Sequence, residues 1–225
     1  MRLPVPAVLV ITDRRQAHLP LEETAAALFA GGCRWLSLRE KDLSQAERRA
    51  LLRRLVVLGQ GFHAAISVHD DLAAAAETGA AGIHLPASGA VAEARRVLGA
   101  EALIGISAHS ADEVTRAADA GADYATLSPI FLSASKPGYG PALGLAGLRR
   151  PWPLPLLALG GVDARNAADC LAAGASGVAL MGEAMRALDP RDVMADLLAR
   201  LRGSLAAPPA GAHSFATPRN GRAPP

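Results

Sequence analysis

The sequence predicts an α/β protein of the (β/α)8 (TIM) barrel class, and three observations carry that prediction. Short apolar strands alternate eight times with alanine-rich helical stretches along the chain. One turn phrase recurs: TGAAG at 78–82, AGADY at 120–124 and AGASG at 173–177 each set a glycine after a helix and two small residues before a strand. A left-handed helix cap followed by a tight turn into a strand requires that pattern. Finally, the turn after the first strand, ITDRRQAH, lacks the glycines that an open doubly wound sheet places there. A chain of 225 residues suits one such domain.

Taken in order, the first strand is read at residues 7–12 and the first helix from about Leu21 to Gly31-Gly32. The second strand begins at Trp35 and ends abruptly in Arg39, Glu40, Lys41 and Asp42. Ser44 and Glu47 have capping-box spacing ahead of the apolar run ALLRRLVVL, which sets the next helix start. Strands follow at 64–69, 82–85, 103–107 and 124–127, with a second capping-box spacing at Ser110 and Glu113. A long loop (128–143) and a short helix lead to strand seven at 155–159. Asp163 is read as the cap of the helix that ends at Gly174, and strand eight spans 177–180. A short helix is expected near 183–187, and Asp189-Pro190 starts the last one. The barrel is assigned to 1–202. From 203 to 225 the chain is rich in Pro, Gly and Ala with no acids, which predicts a disordered tail.

Composition excludes several classes of function. A net charge of +2, with no segment concentrating Lys and Arg away from acids, argues against a nucleic-acid partner. No apolar stretch is long enough to cross a membrane. Cys33 and Cys170 are far apart in apolar settings and read as reduced thiols of a cytoplasmic protein. Oligomeric state is left open.

In a barrel the active face is the ring of strand carboxyl ends. Those ends carry Arg39 and Lys41 after strand two, His69, Asp70 and Asp71 after strand three, and Ser107 and His109 after strand five. Lys136 lies in the long loop after strand six, Gly160-Gly161 follow strand seven, and Met181-Gly182 follow strand eight. Cations, a carboxylate and paired glycine turns point to a phosphorylated ligand, since glycine turns expose backbone N–H groups to phosphate. The plainer alternatives are a solvated charge run at 39–42, ordinary tight turns at the glycines, and a helix cap at Asp71. His84 is equally compatible with a structural bond inside the barrel. A metal hydrolase built on His69, Asp70 and His109 would want paired histidines on the first strand, where Thr12-Asp13 stand.

With the residues so arranged, the sequence resembles the thiamine phosphate synthase/TenI superfamily over about residues 7–202. The resemblance rests on VITD (10–13), LREKD (38–42), HDDLA (69–73), GIHL (82–85), GISAHS (105–110), GADY (121–124), SPIF (128–131) and LGGV (159–162), in that order. It implies a transferase that joins the pyrophosphate ester of a hydroxymethyl aminopyrimidine to a thiazole phosphate and releases pyrophosphate. By that resemblance Arg39, Lys41 and Lys136 hold the leaving pyrophosphate, Asp70 binds Mg2+, and Ser107 stands near the reacting centre. Ser37, His69, Ser133 and Ser135 fall on substrate-binding positions, as do Gly160, Gly161, Met181 and Gly182 on the thiazole-phosphate site.

The chain departs from the synthase pattern at several points. Ser37 replaces Gln, His69 replaces Asn, Ser133 and Ser135 replace a pair of Thr, and Pro86 to Gly89 carry no second metal carboxylate. HLPASG is closer to the related thiazole tautomerase, yet Pro129 stands where that enzyme has its catalytic histidine. Two alternatives to the synthase therefore follow: an isomerase acting on carboxythiazole phosphate, and a barrel that binds thiamine precursors without turnover.

Overall fold

The computed structural model describes residues 3–132 and 141–206; the expected tail lies, from 207 onward, outside the described residues. Eight parallel strands close into one barrel in sequence order. They are β1 (Val8–Ile11), β2 (Trp35–Leu38), β3 (Ala65–His69), β4 (Gly82–Leu85), β5 (Leu103–Ala108), β6 (Tyr124–Leu127), β7 (Leu156–Ala158) and β8 (Gly177–Leu180). β1 pairs with both β2 and β8, which leaves no free edge. The helices are α1 (Leu21–Ala30), α2 (Gln45–Gln60), α3 (Leu72–Thr78), α4 (Val91–Leu98), α5 (Ala111–Asp119), α6 (Ala167–Ala172), α7 (Gly182–Met185) and α8 (Pro190–Ala206). α8 packs on α1 and α6 and runs a few residues beyond the boundary expected at 202. Among the described residues no helix is long and apolar enough to cross a membrane.

The turn chemistry behaves as its residue types dictate. Gly79, Gly121 and Gly174, one in each recurring phrase, all have positive φ (71°, 85° and 113°). The capping box at Ser44 and Glu47 is complete. At Ser110 only half of it forms: Ser110 Oγ accepts from the Glu113 N–H at 3.2 Å, while the Glu113 carboxylate accepts from the His109 N–H at 2.6 Å. Asp163 does not cap α6. Its carboxylate accepts from the Arg165 N–H at 2.8 Å, and the helix starts only after Asn166.

Strand alternation divides the core in two. Outward residues such as Val8, Val10, Leu36 and Leu38 pack against the helices. Inward residues Leu9, Ile11, Trp35, Leu103, Tyr124, Leu157 and Ala179 fill the barrel. Gly105 explains how the interior closes. A Cβ there would collide with the Tyr124 ring, so the phenol occupies the space that glycine leaves and meets Trp35 edge-on at 4.7 Å. Above this apolar floor the inward positions of β3 to β6 turn polar with His69, His84, Ser107 and Thr126, whereas β7, β8 and β1 offer Leu159, Met181 and Ile11.

Candidate active site

At the carboxyl ends of the strands lies a cavity of about 1170 Å3. Arg39, Lys41, His69, Asp70 and Ser107 line one side of it, and Gly160, Gly161, Met181 and Gly182 line the other. Ser37 does not reach it. It sits on β2 two residues below Arg39, fully buried beside Ser67 of β3, and neither hydroxyl has a hydrogen-bond partner among the described residues. Ser133, Ser135 and Lys136 lie outside the described residues.

The loop after β2 is held by its acids, which leaves its cations for the cavity. Glu40 is buried, and its carboxylate accepts from the Arg14 backbone N–H at 3.0 and 3.3 Å and from the Arg14 guanidinium at 3.0 Å. The same guanidinium pairs with both oxygens of Asp42, at 2.7 and 2.9 Å. The two acids raise the Arg14 pKa further, and Arg14 in turn lowers that of Asp42. Arg39 and Lys41, which alternate with these acids, make no ion pair among the described residues. They are the members of this clamped loop that line the cavity.

The two aspartates after β3 have separate roles. Asp71 accepts from the Ala74 N–H at 3.0 Å as the cap of α3, and its other oxygen pairs with Arg48 at 2.9 Å. Asp70 adopts a left-handed backbone (φ 49°), which Asp tolerates better than most residues, and stands exposed at the mouth with no side-chain partner among the described residues. Of the pair, Asp70 is the one open to a cation. No cluster of three His, Cys, Asp or Glu side chains suited to a metal occurs among the described residues, so any metal there would rely on ligands from the substrate.

A hydrogen-bonded row crosses the polar floor. Tyr124 Oη lies 3.0 Å from His84 Nδ1, and His84 Nε2 lies 2.9 Å from Ser107 Oγ and 3.4 Å from Thr126 Oγ1. Burial pushes the His84 pKa down to about 3 and raises that of the Tyr124 phenol, so both groups are neutral. The tautomer that uses every donor has Tyr124 donating to Nδ1 and Nε2–H donating to Ser107, which frees the Ser107 hydroxyl proton for the cavity. His69 lies against His84 with ring centroids 4.7 Å apart. Its pKa is lowered by burial first, then by His84, Arg39 and Lys41, so it too is uncharged.

On the opposite side, Gly160 and Gly161 both have positive φ, at 93° and 63°. A Cβ on Gly161 would come 2.6 Å from the Leu132 carbonyl and 2.7 Å from Phe131 Cβ, so only glycine fits this close approach. The Asn166 side chain donates to the Gly161 carbonyl at 2.9 Å and fixes the turn. Of the other groups shaping the site, Arg14 and Tyr124 carried no local signal; each depends on a partner 26 or 40 residues away.

Comparisons with known proteins agree with this geometry. Residues 8–184 match the family described as thiamine monophosphate synthase. The chain is 41% identical over 180 residues to a thiamine-phosphate synthase of Methanoculleus marisnigri, covering 76% of this chain and 84% of that protein. It is 36% identical over 188 residues to one from a Roseiflexus species, covering 81% and 80%. The solved thiamine phosphate pyrophosphorylase from Pyrococcus furiosus superposes with a TM-score of 0.78 at 27% identity, over 88% of this chain and 96% of that one. The chain belongs to the thiamine monophosphate synthase family.

Proposed function

We propose that the protein is a thiamine-phosphate synthase, a transferase that joins a hydroxymethyl aminopyrimidine pyrophosphate to a thiazole phosphate with release of pyrophosphate. One observation carries the reading: a single cavity has, at its β2–β3 end, cations and a carboxylate that make no ion pair among the described residues, and glycine turns at its β7–β8 end. Such a division suits two substrates that each bring their own phosphate. The names of the relatives support the same activity.

In the reaction the thiazole nitrogen forms a bond to the pyrimidine methylene carbon as the bond from that carbon to the pyrophosphate oxygen breaks. The leaving group departs with the electron pair. No general base is needed, because the attacking nitrogen carries no proton. Arg39 and Lys41, with Lys136, hold the leaving pyrophosphate where its charge develops. Neutral His69 lies against His84 at the same end, and the Ser107 hydroxyl, oriented by His84 and Tyr124, donates into the centre of the cavity. The backbone of Gly160, Gly161, Met181 and Gly182 holds the thiazole phosphate. The exposed Asp70 carboxylate fits Mg2+, which binds through one or two carboxylates plus substrate phosphates and would neutralise pyrophosphate charge. Ser133 and Ser135 complete the pyrophosphate end in this reading, and Ser37 supports the floor.

Pro129 lines the cavity where the tautomerase carries its catalytic histidine, which favours the transferase over that isomerase. Free, buried Cys33 and Cys170, with thiol pKa values raised to about 11 by burial, suit a protein of the reducing cytoplasm. The test is turnover: purified protein with both substrates and Mg2+ forms thiamine phosphate. No product under these conditions sinks the proposal.

A further inference from the structure

Five arginine and lysine side chains line the cavity, and they are not equivalent. Arg48 is paired with Asp71 and Arg165 with Asp163. Arg39, Lys41 and Arg186 make no ion pair among the described residues. The first two belong to the β2–β3 end already described. Arg186 follows α7, beyond β8, at a position that no sequence motif marked.

Its guanidinium is exposed and lies over the turn after β8. It folds back over Gly182, and a Cβ at 182 would lie 2.6 Å from Nη2 and 2.8 Å from Cζ, so the arginine fills the volume a side chain at 182 would take. Arg186 Nη1 donates to Gln16 Oε1 at 2.5 Å. Gln16 is itself oriented, because its Nε2 donates to Asp13 Oδ2 at 2.5 Å. The row Asp13–Gln16–Arg186 thus runs from the loop after β1 to the loop after β8, across 170 positions of sequence. An amide oxygen satisfies one N–H of the guanidinium but none of its charge. An exposed cation on the cavity wall whose hydrogen-bond partner among the described residues is a neutral amide is open to an anion that arrives with the ligand.

We propose that Arg186 binds the phosphomonoester of the thiazole substrate, with Gln16 and Asp13 as the positioning residues that aim it. This rests on the synthase reading and adds to it a charged side chain at a site otherwise made of backbone. Gly182 then leaves Arg186 its space and offers its own N–H group.

The test uses the full chain and the variants Arg186→Gln, Arg186→Lys and Gln16→Leu, with KM measured for each substrate. Arg186→Gln raises the thiazole phosphate KM about 10- to 100-fold, as expected for a lost charge-assisted contact, and leaves the pyrimidine pyrophosphate KM within about two-fold. Arg186→Lys recovers part of the loss. Gln16→Leu raises the same KM by a smaller factor and adds nothing in the Arg186→Gln background. An Arg186→Gln enzyme with an unchanged thiazole phosphate KM overturns the proposal while leaving the synthase reading intact. So does an equal rise in both KM values, which marks a structural role. If the wild type makes no thiamine phosphate, the synthase reading fails instead. Calorimetry with phenyl phosphate then decides: binding that weakens in Arg186→Gln upholds the anion site, and binding that is absent or indifferent to the substitution overturns it.

Discussion

Replacing Arg14 with alanine tests how the loop after β2, at one end of the cavity, is held. The substitution removes a guanidinium whose partner, Glu40, has a side chain only 1% exposed. Breaking a buried pair by removing one member costs about 3–5 kcal/mol, because the other charge is left uncompensated. Two features reduce that figure here. Arg14 itself is 32% exposed, and the backbone N–H of residue 14 stays bonded to the Glu40 carboxylate. A loss just below that range, about 2–3 kcal/mol, is expected, and the exposed pairing with Asp42 adds little to it. Urea unfolding of Arg14→Ala against the wild type measures this directly. Arg14→Ala/Glu40→Gln should recover much of the loss, since the buried charge is gone. The loosened loop also carries Arg39 and Lys41, so the KM for pyrimidine pyrophosphate should rise in the single variant. An Arg14→Ala protein within about 0.5 kcal/mol of wild type would refute the clamp, because even a modest buried pair exceeds that value.

Three further outcomes are expected. Arg39→Ala and Lys41→Ala each lower kcat/KM by an amount equivalent to about 2–4 kcal/mol with little change in stability, as steady-state kinetics and thermal melting will show. Asp70→Asn abolishes Mg2+-dependent turnover and keeps thiazole phosphate binding by calorimetry; full activity in that variant would remove Asp70 from the metal role. The last concerns pH. His84 and His69 have folded pKa values below the unfolded value, so their neutral forms favour folding fully above about pH 6.5, and stability is lost as pH falls below it. Each histidine contributes up to about 1.4 kcal/mol per pH unit, so urea unfolding of His84→Gln should show a shallower decline between about pH 6 and 4 than the wild type.

The barrel was legible because its signals are local. A glycine in the left-handed region at 79, 121 or 174 is dictated by three or four neighbouring residues, and each turned out with positive φ. Strand ends follow from the same punctuation, which is why the cavity contains Arg39, Asp70, Ser107 and Gly161 together. What could not be read depends on register and on distance along the chain. Gly105 opposite Tyr124 decides how the barrel interior is filled and which tautomer His84 holds, and only the β5–β6 pairing sets that register. Ser37 illustrates the same limit, since two residues of strand separate a cavity side chain from a buried one. Capping spacings were ambiguous where a competing donor lay nearby: Glu113 turned to the His109 N–H, and Asp163 to Arg165. The Gln16–Arg186 contact has no local trace at all.

The most direct test of the central claim is the stoichiometry of turnover, with thiamine phosphate and pyrophosphate measured together from purified protein, both substrates and Mg2+. The account predicts equimolar appearance of the two products, with both rates falling together in Arg39→Ala. Isomerised thiazole phosphate without pyrophosphate, or binding of both substrates without either product, would contradict it.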